Sequence, residues 1–216
     1  MRNIIFDMGN VLIHFKPERF IAREGVDDAA DRELLLETVF HSPDWPRLDL
    51  GELNTDELAA RLLPRLPDRL RDVGRRLICA WYDPIEPIPG MADFVRQCKE
   101  RGWGVYLLSN AGFNQREYWP GIPGNECFDG VVVSAFEGCL KPDPAIYRTL
   151  LARYRLDPAD CVFVDDMPVN VRGATAVGMR GVVFDGDVDA LRWTIFGESH
   201  DFTPTNAKGA SPCSTD

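Results

Sequence analysis

Short apolar segments alternate with helical segments through much of the chain, and this alternation restricts the possible folds more than any other feature. Four apolar runs have the length of a buried strand, at 105–108, 131–133, 161–164 and 181–184. Helical segments are predicted between them, and the apolar run at 4–6 adds a fifth strand. Strands that alternate with helices predict an α/β fold, in which a Rossmann-like parallel sheet carries helices on both of its faces.

A long helical segment separates the first strand from the others. From about 18 to 82 the sequence shows no convincing strand, and an apolar stripe at 34–40 has helical spacing. Asn54 followed by Glu57 is the pattern of a capping box at the start of a helix. The segment contains no nucleotide-binding or metal-binding motif. We therefore predict a helical cap that is inserted after the first strand.

These patterns divide the chain into two predicted units and a tail. Residues 1–16 and 83–197 are expected to form the α/β core, and residues 17–82 the cap. A chain of 216 residues is long enough for one domain with such an insertion. Residues 198–216 are polar and lack periodicity, so we expect them to be disordered.

The composition argues against several classes of partner and location. The formal net charge is −10 and no basic block occurs, which argues against binding to nucleic acid or to an anionic membrane surface. No apolar run is long enough to span a bilayer, and the first residues lack a signal-peptide pattern. The six cysteines are scattered without metal-site spacing, which is typical of a reducing compartment. We therefore expect a cytoplasmic protein. The sequence leaves its oligomeric state open between a monomer and a weak dimer.

Polar side chains end three of the predicted strands: Asp7 on the first, Ser109 and Asn110 on the second, and Asp165 with Asp166 on the fourth. The carboxyl ends of parallel strands lie at one edge of a sheet, where open α/β sheets bind ligands. Each group taken alone has a plainer explanation as a turn or a helix cap. Their occurrence at successive strand ends favours a common site.

Lys141, which follows the third predicted strand, completes a set suited to phosphate chemistry. The carboxylates of Asp7, Asp165 and Asp166 would repel one another, which implies a bound cation or raised pKa values. Oxygen ligands of this kind suit Mg²⁺, which also binds substrate phosphate. The lysine adds a positive charge, and the hydroxyl and amide at 109 and 110 add neutral donors. A lysine before proline is by itself more often a solvated surface charge, so the interpretation depends on the whole set.

Four short motifs occur in order: IIFD at 4–7, LLSN at 107–110, KPDP at 141–144 and FVDD at 163–166. In this order they resemble the motifs of the haloacid dehalogenase (HAD) superfamily of hydrolases, and the resemblance covers residues 1–197. The sequence DMGNVL at 7–12, together with PIPG at 87–90, is similar to the sequences of one subgroup. That subgroup includes bacterial α-D-glucose-1-phosphate phosphatase and the N-terminal phosphatase domain of soluble epoxide hydrolase, and its helical cap also follows the first motif.

The resemblance implies a role for each catalytic residue. Asp7 would be the nucleophile that becomes an aspartyl phosphate, and Lys141 would stabilise both the nucleophile and the transferring phosphoryl group. Ser109 and Asn110 would bind the phosphate. The implied function is a phosphatase that acts on a small phosphorylated metabolite, and a sugar phosphate is the expected substrate.

The resemblance also implies a Mg²⁺ site. Asp7, Asp166 and the backbone carbonyl of Gly9 would ligate the ion, with Asp165 either beside them or just behind them. Two alternatives stay open. A 2-haloacid dehalogenase-type hydrolase is disfavoured because the dehalogenases need no Mg²⁺ and lack a paired Asp-Asp. A non-catalytic binding or regulatory protein is disfavoured because Asp7, Lys141 and Asp166 are all intact.

Gly9 departs from the pattern of most phosphatases in this superfamily, which carry a second aspartate two residues after the nucleophile. That aspartate protonates the leaving oxygen and later activates water, and such help is typically worth ~10²–10⁴-fold. Three accounts are open: a good leaving group such as an anomeric hydroxyl, another residue or a metal-bound water in its place, or a weak or specialised enzyme. His14 is one candidate proton donor, because histidine is a common general acid in enzymes and this residue lies near the first motif.

One group of residues in the predicted cap combines polar and aromatic side chains and is expected to face the substrate: His41, Trp45, Arg47 and Asp49. For Trp45 the alternative is packing within the cap.

Overall fold

Five parallel strands form the centre of the computed structural model, which describes residues 2–197. The strands are β1 (Asn3–Phe6), β2 (Gly104–Ser109), β3 (Gly130–Val133), β4 (Cys161–Asp165) and β5 (Arg180–Val183), in the order β3-β2-β1-β4-β5. Phe6 pairs with Leu107 on one side and with Val164 on the other. The residues that follow β1, β2 and β4 therefore reach the same edge of the sheet. The predicted parallel α/β sheet is confirmed.

Helices cover both faces of this sheet. Successive residues of a strand point to opposite sides, so a strand that is apolar throughout must be covered on both. Ile4 and Phe6 are fully buried on the face covered by α6 (Met91–Glu100) and α11 (Val188–Phe196). Ile5 is fully buried on the other face, which α9 (Pro144–Tyr154) and α10 (Pro168–Ala176) cover. Two short helices follow β2 and β3: α7 (Gln115–Tyr118) and α8 (Ser134–Glu137).

The segment between β1 and α6 is mostly helical. Its helices are α1 (Pro17–Arg23), α2 (Ala29–Leu35), α3 (Trp45–Asp49), α4 (Thr55–Leu62) and α5 (Asp68–Cys79). A π-helical turn, Leu36–Phe40, continues α2 through the predicted apolar stripe. The predicted capping box is present at α4, where Oδ1 of Asn54 accepts from the backbone N of Glu57 at 2.9 Å. The division into a cap and a core at residues 17 and 82 stays a prediction.

Helix α5 ends at Cys79, and two residues later the ring of Trp81 packs against Phe15 with centroids 4.9 Å apart. The expected disorder of 198–216 lies outside the described residues. Among residues 2–197, none of the helices combines the length and the apolar character needed to cross a membrane.

Gly51 brings the segment after α3 into contact with the start of α8. Its φ is +78°, a left-handed conformation that favours glycine, and a Cβ there would lie 2.2 Å from the carbonyl oxygen of Ala135. We expect Gly51→Ala to lower the free energy of unfolding by more than the ~1–3 kcal/mol of a strained left-handed residue alone. Urea denaturation measures this difference.

Gly25 provides a matched control for this prediction. Its φ is +73°, but a Cβ there would meet no heavy atom within 4 Å. Gly25→Ala should therefore show only the conformational penalty. Equal losses of stability in the two variants would contradict a tight contact between Gly51 and Ala135.

Candidate active site

The ammonium group of Lys141 lies between two carboxylates at the edge of the sheet. Its Nζ is 2.7 Å from Oδ1 of Asp7, which directly follows β1, and 2.7 Å from Oδ2 of Asp165, which ends β4. Lys141 is 4% exposed and Asp165 is fully buried. Two acids with one base leave a net negative charge in a buried place, which a bound cation would offset.

Hydrogen bonds fix the carboxylate of Asp165 on both of its oxygens. Oδ1 accepts from the backbone N of Met167 at 2.8 Å, and Nδ2 of Asn170 lies 3.1 Å from each oxygen. The Nζ of Lys141 donates to Oδ2 as well. A carboxylate with this many donors is suited to holding the lysine in place. The contribution of Asn170 was not predicted from the sequence.

The pKa values of Asp7 and Lys141 are both raised, for different reasons. Burial raises the pKa of Asp7 to about 6, and the charge of Asp165 adds to the increase, although the Lys141 ammonium opposes it. Burial by itself lowers the pKa of Lys141, but the charges of Asp7 and Asp165 outweigh burial, so that the pKa is raised overall. At neutral pH the lysine is therefore protonated and most of Asp7 is ionised, as a nucleophilic carboxylate must be.

Asp166 adds a third carboxylate to this edge of the sheet. One oxygen from each of Asp7, Asp165 and Asp166 lies within 4.8 Å of the others, which is close enough to share one metal ion. Burial raises the pKa of Asp166, and a hydrogen bond from Asn10 opposes that increase. Converging carboxylate oxygens are the donors that Mg²⁺ prefers. The residues present therefore fit a Mg²⁺ ion.

Asn10 stabilises the turn after β1 through both ends of its side-chain amide. Its φ is +54°, which asparagine tolerates better than most residues do. Its Oδ1 accepts from the backbone N of Phe15 at 3.1 Å, and its Nδ2 donates to Oδ2 of Asp166 at 3.1 Å. The side chain therefore links the turn that carries Gly9 to the third carboxylate.

Asn110 holds the backbone of Lys141. Its Oδ1 accepts from the backbone N of Lys141 at 2.8 Å, and its Nδ2 donates to the carbonyl oxygen of the same residue at 3.0 Å. Asn110 also lines the cavity above the carboxylates. Ser109 is buried at the end of β2 and is not among the residues that line the cavity. Phosphate binding by Ser109 and Asn110 stays a prediction.

A cavity of about 270 Å³ lies against Asp7, Lys141 and Asp166. Gly9 lines the same cavity. Helix α3 contributes Trp45, Leu48 and Asp49. Leu48 and Asp49 lie three and four positions after Trp45, so they share one face of the helix with it. Much of the wall is aromatic or apolar: Met8, Phe15, Trp45, Leu48, Trp81 and Tyr118. The cavity thus combines charged groups at the sheet edge with an aromatic wall.

Two of the four insert residues that were expected to face the substrate line the cavity. Trp45 and Asp49 do so, whereas His41 and Arg47 do not. Nδ1 of His41 lies 2.6 Å from Oε1 of Glu37, and Arg47 forms ion pairs with Asp44 and Glu52. Arg47 is two positions from Trp45 and from Asp49 along α3, so it points to another side of the helix. His14, the candidate proton donor, is also absent from the cavity lining.

Comparison with known proteins gives the family. The model of the haloacid dehalogenase-like hydrolases matches residues 1–178. The chain belongs to this family. It is therefore an enzyme of the hydrolase class, and the resemblance inferred from the four motifs is confirmed at this level. The finer resemblance to the α-D-glucose-1-phosphate phosphatase subgroup stays a prediction.

One curated relative of this HAD-like hydrolase is the sesquiterpene phosphatase astK of Aspergillus oryzae (strain ATCC 42149 / RIB 40). The two are 29% identical over 188 residues, which are 82% of this chain and 87% of the relative. Two other curated relatives are longer proteins, and the chain spans only 18% and 34% of their lengths.

Solved structures show the same fold. A HAD-like family hydrolase from Porphyromonas gingivalis superposes with a TM-score of 0.67 and 25% identity, over 91% of this chain and 98% of that chain. A HAD family enzyme from Bacteroides thetaiotaomicron, solved as a mutant in complex with magnesium and inorganic phosphate, has a TM-score of 0.67. It is 17% identical over 88% of this chain and 98% of that chain, so its likeness concerns the fold alone.

Proposed function

We propose that this HAD-like hydrolase is a Mg²⁺-dependent phosphatase that acts on a small phosphorylated metabolite through an aspartyl-phosphate intermediate. The observation that carries the proposal is the buried Lys141 ammonium, 2.7 Å from Asp7, beside three carboxylates within 4.8 Å of one another. The sesquiterpene phosphatase relative supports the same reaction class.

In this proposal each residue has a separate role in phosphoryl transfer. A carboxylate oxygen of Asp7 attacks phosphorus, and Lys141 offsets negative charge as the phosphate approaches. Mg²⁺ would be held by Asp7, Asp166 and the carbonyl of Gly9, and it would stabilise charge on the transferring group. Asp165, whose oxygens already accept from three residues, keeps Lys141 in position.

The two alternatives predict different chemistry. A 2-haloacid dehalogenase would need no cation, whereas three carboxylates this close together favour one. A non-catalytic HAD protein would have no need to keep a buried lysine aimed at Asp7. Hydrolysis of 4-nitrophenyl phosphate in the presence of Mg²⁺ separates these cases. Its leaving group needs little protonation, so we expect an active phosphatase with this set of residues to cleave it.

Removal of the metal should abolish this activity. We expect EDTA to reduce hydrolysis of 4-nitrophenyl phosphate to background and added Mg²⁺ to restore it, because the transferring phosphoryl group would otherwise meet an uncompensated cluster of acids. Asp166→Asn should weaken Mg²⁺ binding measured by isothermal titration calorimetry. Asp129→Asn, at a half-exposed acid paired with Lys99, should leave the binding unchanged. Hydrolysis of 4-nitrophenyl phosphate that persists in EDTA would refute the requirement for Mg²⁺.

A sugar phosphate is the substrate proposed from the sequence, and two features of the cavity support it. Its volume of about 270 Å³ suits a small metabolite. Asn114 also lines it, and within residues 2–197 the buried Nδ2 of this side chain has no hydrogen-bond partner, so the wall retains an unused donor.

The aromatic wall supports a second candidate class, phosphate esters with an apolar organic group. Phe15 packs against Trp81 and Trp45, with ring centroids 4.9 Å and 6.2 Å apart, and all three line the cavity. Such a surface attracts apolar groups as well as sugar rings. A phosphate-release screen that includes α- and β-anomeric sugar phosphates, prenyl phosphates and flavin mononucleotide would decide between the classes by kcat/KM.

A further inference from the structure

The loop after the nucleophile has no acid of its own. Gly9 occupies the position two residues after Asp7, and a Cβ there would lie 3.4 Å from Cβ of Phe15, so an aromatic residue borders the space beside it. A phosphatase that cleaves poor leaving groups nevertheless needs a proton donor. The donor must come from another part of the cavity.

The cavity lining offers few candidates. Within the described residues, its titratable side chains are Asp7, Asp49, Tyr118, Lys141 and Asp166. Asp7 is the proposed nucleophile and Asp166 a proposed metal ligand. Lys141 is committed to two carboxylates, and burial raises the pKa of Tyr118 further above its ordinary value. Asp49 is left.

Asp49 is held at the edge of the cavity by its backbone while its side chain stays available. The Oγ of Ser134, a fully buried residue, donates to the carbonyl oxygen of Asp49 at 2.5 Å. The close contact between Gly51 and Ala135 fixes the same segment two residues later. No hydrogen bond or ion pair to the carboxylate of Asp49 is found within residues 2–197.

The electrostatic surroundings of Asp49 suit proton transfer. Burial raises its pKa to about 7, and the charge of Asp7 adds to the increase, whereas Lys141 lowers it. A pKa near the working pH gives a general acid a protonated fraction and still allows its carboxylate to act as a base. Asp49 also lines the same cavity as Asp7 and Lys141.

We propose that Asp49, supplied by the helical insert, is the general acid and base of this hydrolase and replaces the carboxyl that Gly9 lacks. The proposal rests on the proposed phosphatase function. In the first step an oxygen of Asp7 bonds to phosphorus, the bond to the leaving oxygen breaks, and that oxygen takes the proton of Asp49. In the second step Asp49 takes a proton from water, the water oxygen bonds to phosphorus, and the bond to Asp7 breaks, which releases phosphate.

The test compares leaving groups in Asp49→Asn. With an alkyl phosphate, formation of the aspartyl phosphate should slow by ~10²–10⁴-fold, because the alkoxide leaves without a proton. With 4-nitrophenyl phosphate the same step should keep its wild-type rate in rapid-quench measurements. One equivalent of nitrophenolate should then appear in a burst before slow turnover, because hydrolysis of the intermediate has lost its base.

Two variants make the result specific. Glu52→Gln removes one negative charge from the same segment, at a residue that pairs with Arg47 outside the cavity lining, and should leave both substrates unaffected. Asp49→Glu keeps a carboxylic acid and should recover part of the lost alkyl phosphate activity. If Asp49→Asn fails to fold, Asp49→Ser is measured in the same way.

The outcomes separate this proposal from the one on which it rests. A wild-type enzyme that hydrolyses no phosphate ester would overturn both. If the wild type is a phosphatase, two results for Asp49→Asn would overturn the role of Asp49 alone. One is an equal loss of rate in the first step with both leaving groups, and the other is no loss with either. A loss confined to the poor leaving group, together with the burst, would support it.

Discussion

Asp7→Asn is expected to lower kcat by on the order of 10⁶-fold, the size of loss found when the nucleophile is removed from a set of residues that act as a unit. The physical reason is the loss of the only carboxylate in the described site that combines ionisation with a bond to Lys141 at the cavity. An amide oxygen is a far weaker nucleophile than a carboxylate. Phosphate release from the substrate that the wild-type enzyme cleaves best is the measurement.

The structure allows this loss to be separated from damage to the fold. An asparagine side chain has nearly the same shape as the aspartate it replaces, and Lys141 would keep its 2.7 Å contact with Asp165. The variant should therefore unfold at a denaturant midpoint close to that of the wild type. Asp129→Asn is the matched control, because Asp129 also pairs with a lysine at 2.7 Å but lies outside the cavity lining.

A second measurement identifies the intermediate directly. Acid quenching of the wild-type enzyme during turnover should trap an acyl phosphate that hydroxylamine releases, and Asp7→Asn should trap none. Turnover by this variant above that of a blank preparation would refute the assignment of Asp7 as the nucleophile.

The convergence of Asp7, Lys141, Asp165 and Asp166 could be predicted from the sequence because one rule governs it. Each of these residues directly follows, ends or comes shortly after a buried apolar run, and parallel strands bring their carboxyl ends to one edge. The prediction needed only the order of strands and loops along the chain. It did not depend on how any side chain packs.

The roles of Asn10 and Asn170, and the orientation of α3, could not be predicted in this way. Asn10 reaches Asp166 across 156 positions of sequence, and this contact depends on the left-handed backbone of a single turn. Helix α3 has only five residues, so its sequence shows no clear period. Tertiary contacts also hold the segment that follows it, where Gly51 lies close to the carbonyl of Ala135. The sequence therefore indicated Asp49 and Arg47 as equals, although only Asp49 lines the cavity.

Lys141→Met is expected to have the largest effect on stability. Removal of one partner from a buried ion group typically lowers the free energy of unfolding by about 3–5 kcal/mol, because the remaining charges lose their compensation. Here the remaining charges are Asp7 and Asp165, each 2.7 Å from the lysine and both buried. Activity should also fall by at least ~10²-fold, because the group that offsets charge on the nucleophile and the phosphate is gone.

Lys99→Met is the matched control for stability. Lys99 lies 2.7 Å from Asp129, the same separation as in the buried pairs, but its side chain is 34% exposed. Exposed pairs contribute about 0–1 kcal/mol, so this variant should unfold almost as the wild type does. A similar small loss for Lys141→Met would contradict the description of Lys141 as the charge that holds the buried acids together.

The pH dependence of Lys141→Met in EDTA tests the electrostatic origin of its instability. Burial already raises the pKa of Asp7 to about 6 with the ammonium present, and the value should rise further without it. An acid whose pKa is higher in the folded state binds more protons when folded, so its contribution to stability decreases as pH rises through that range. The deficit in the free energy of unfolding relative to the wild type should therefore shrink as the pH falls from about 8 to about 5 and Asp7 becomes protonated. A deficit that stays constant over this range would indicate a packing defect, because lost van der Waals contacts do not titrate.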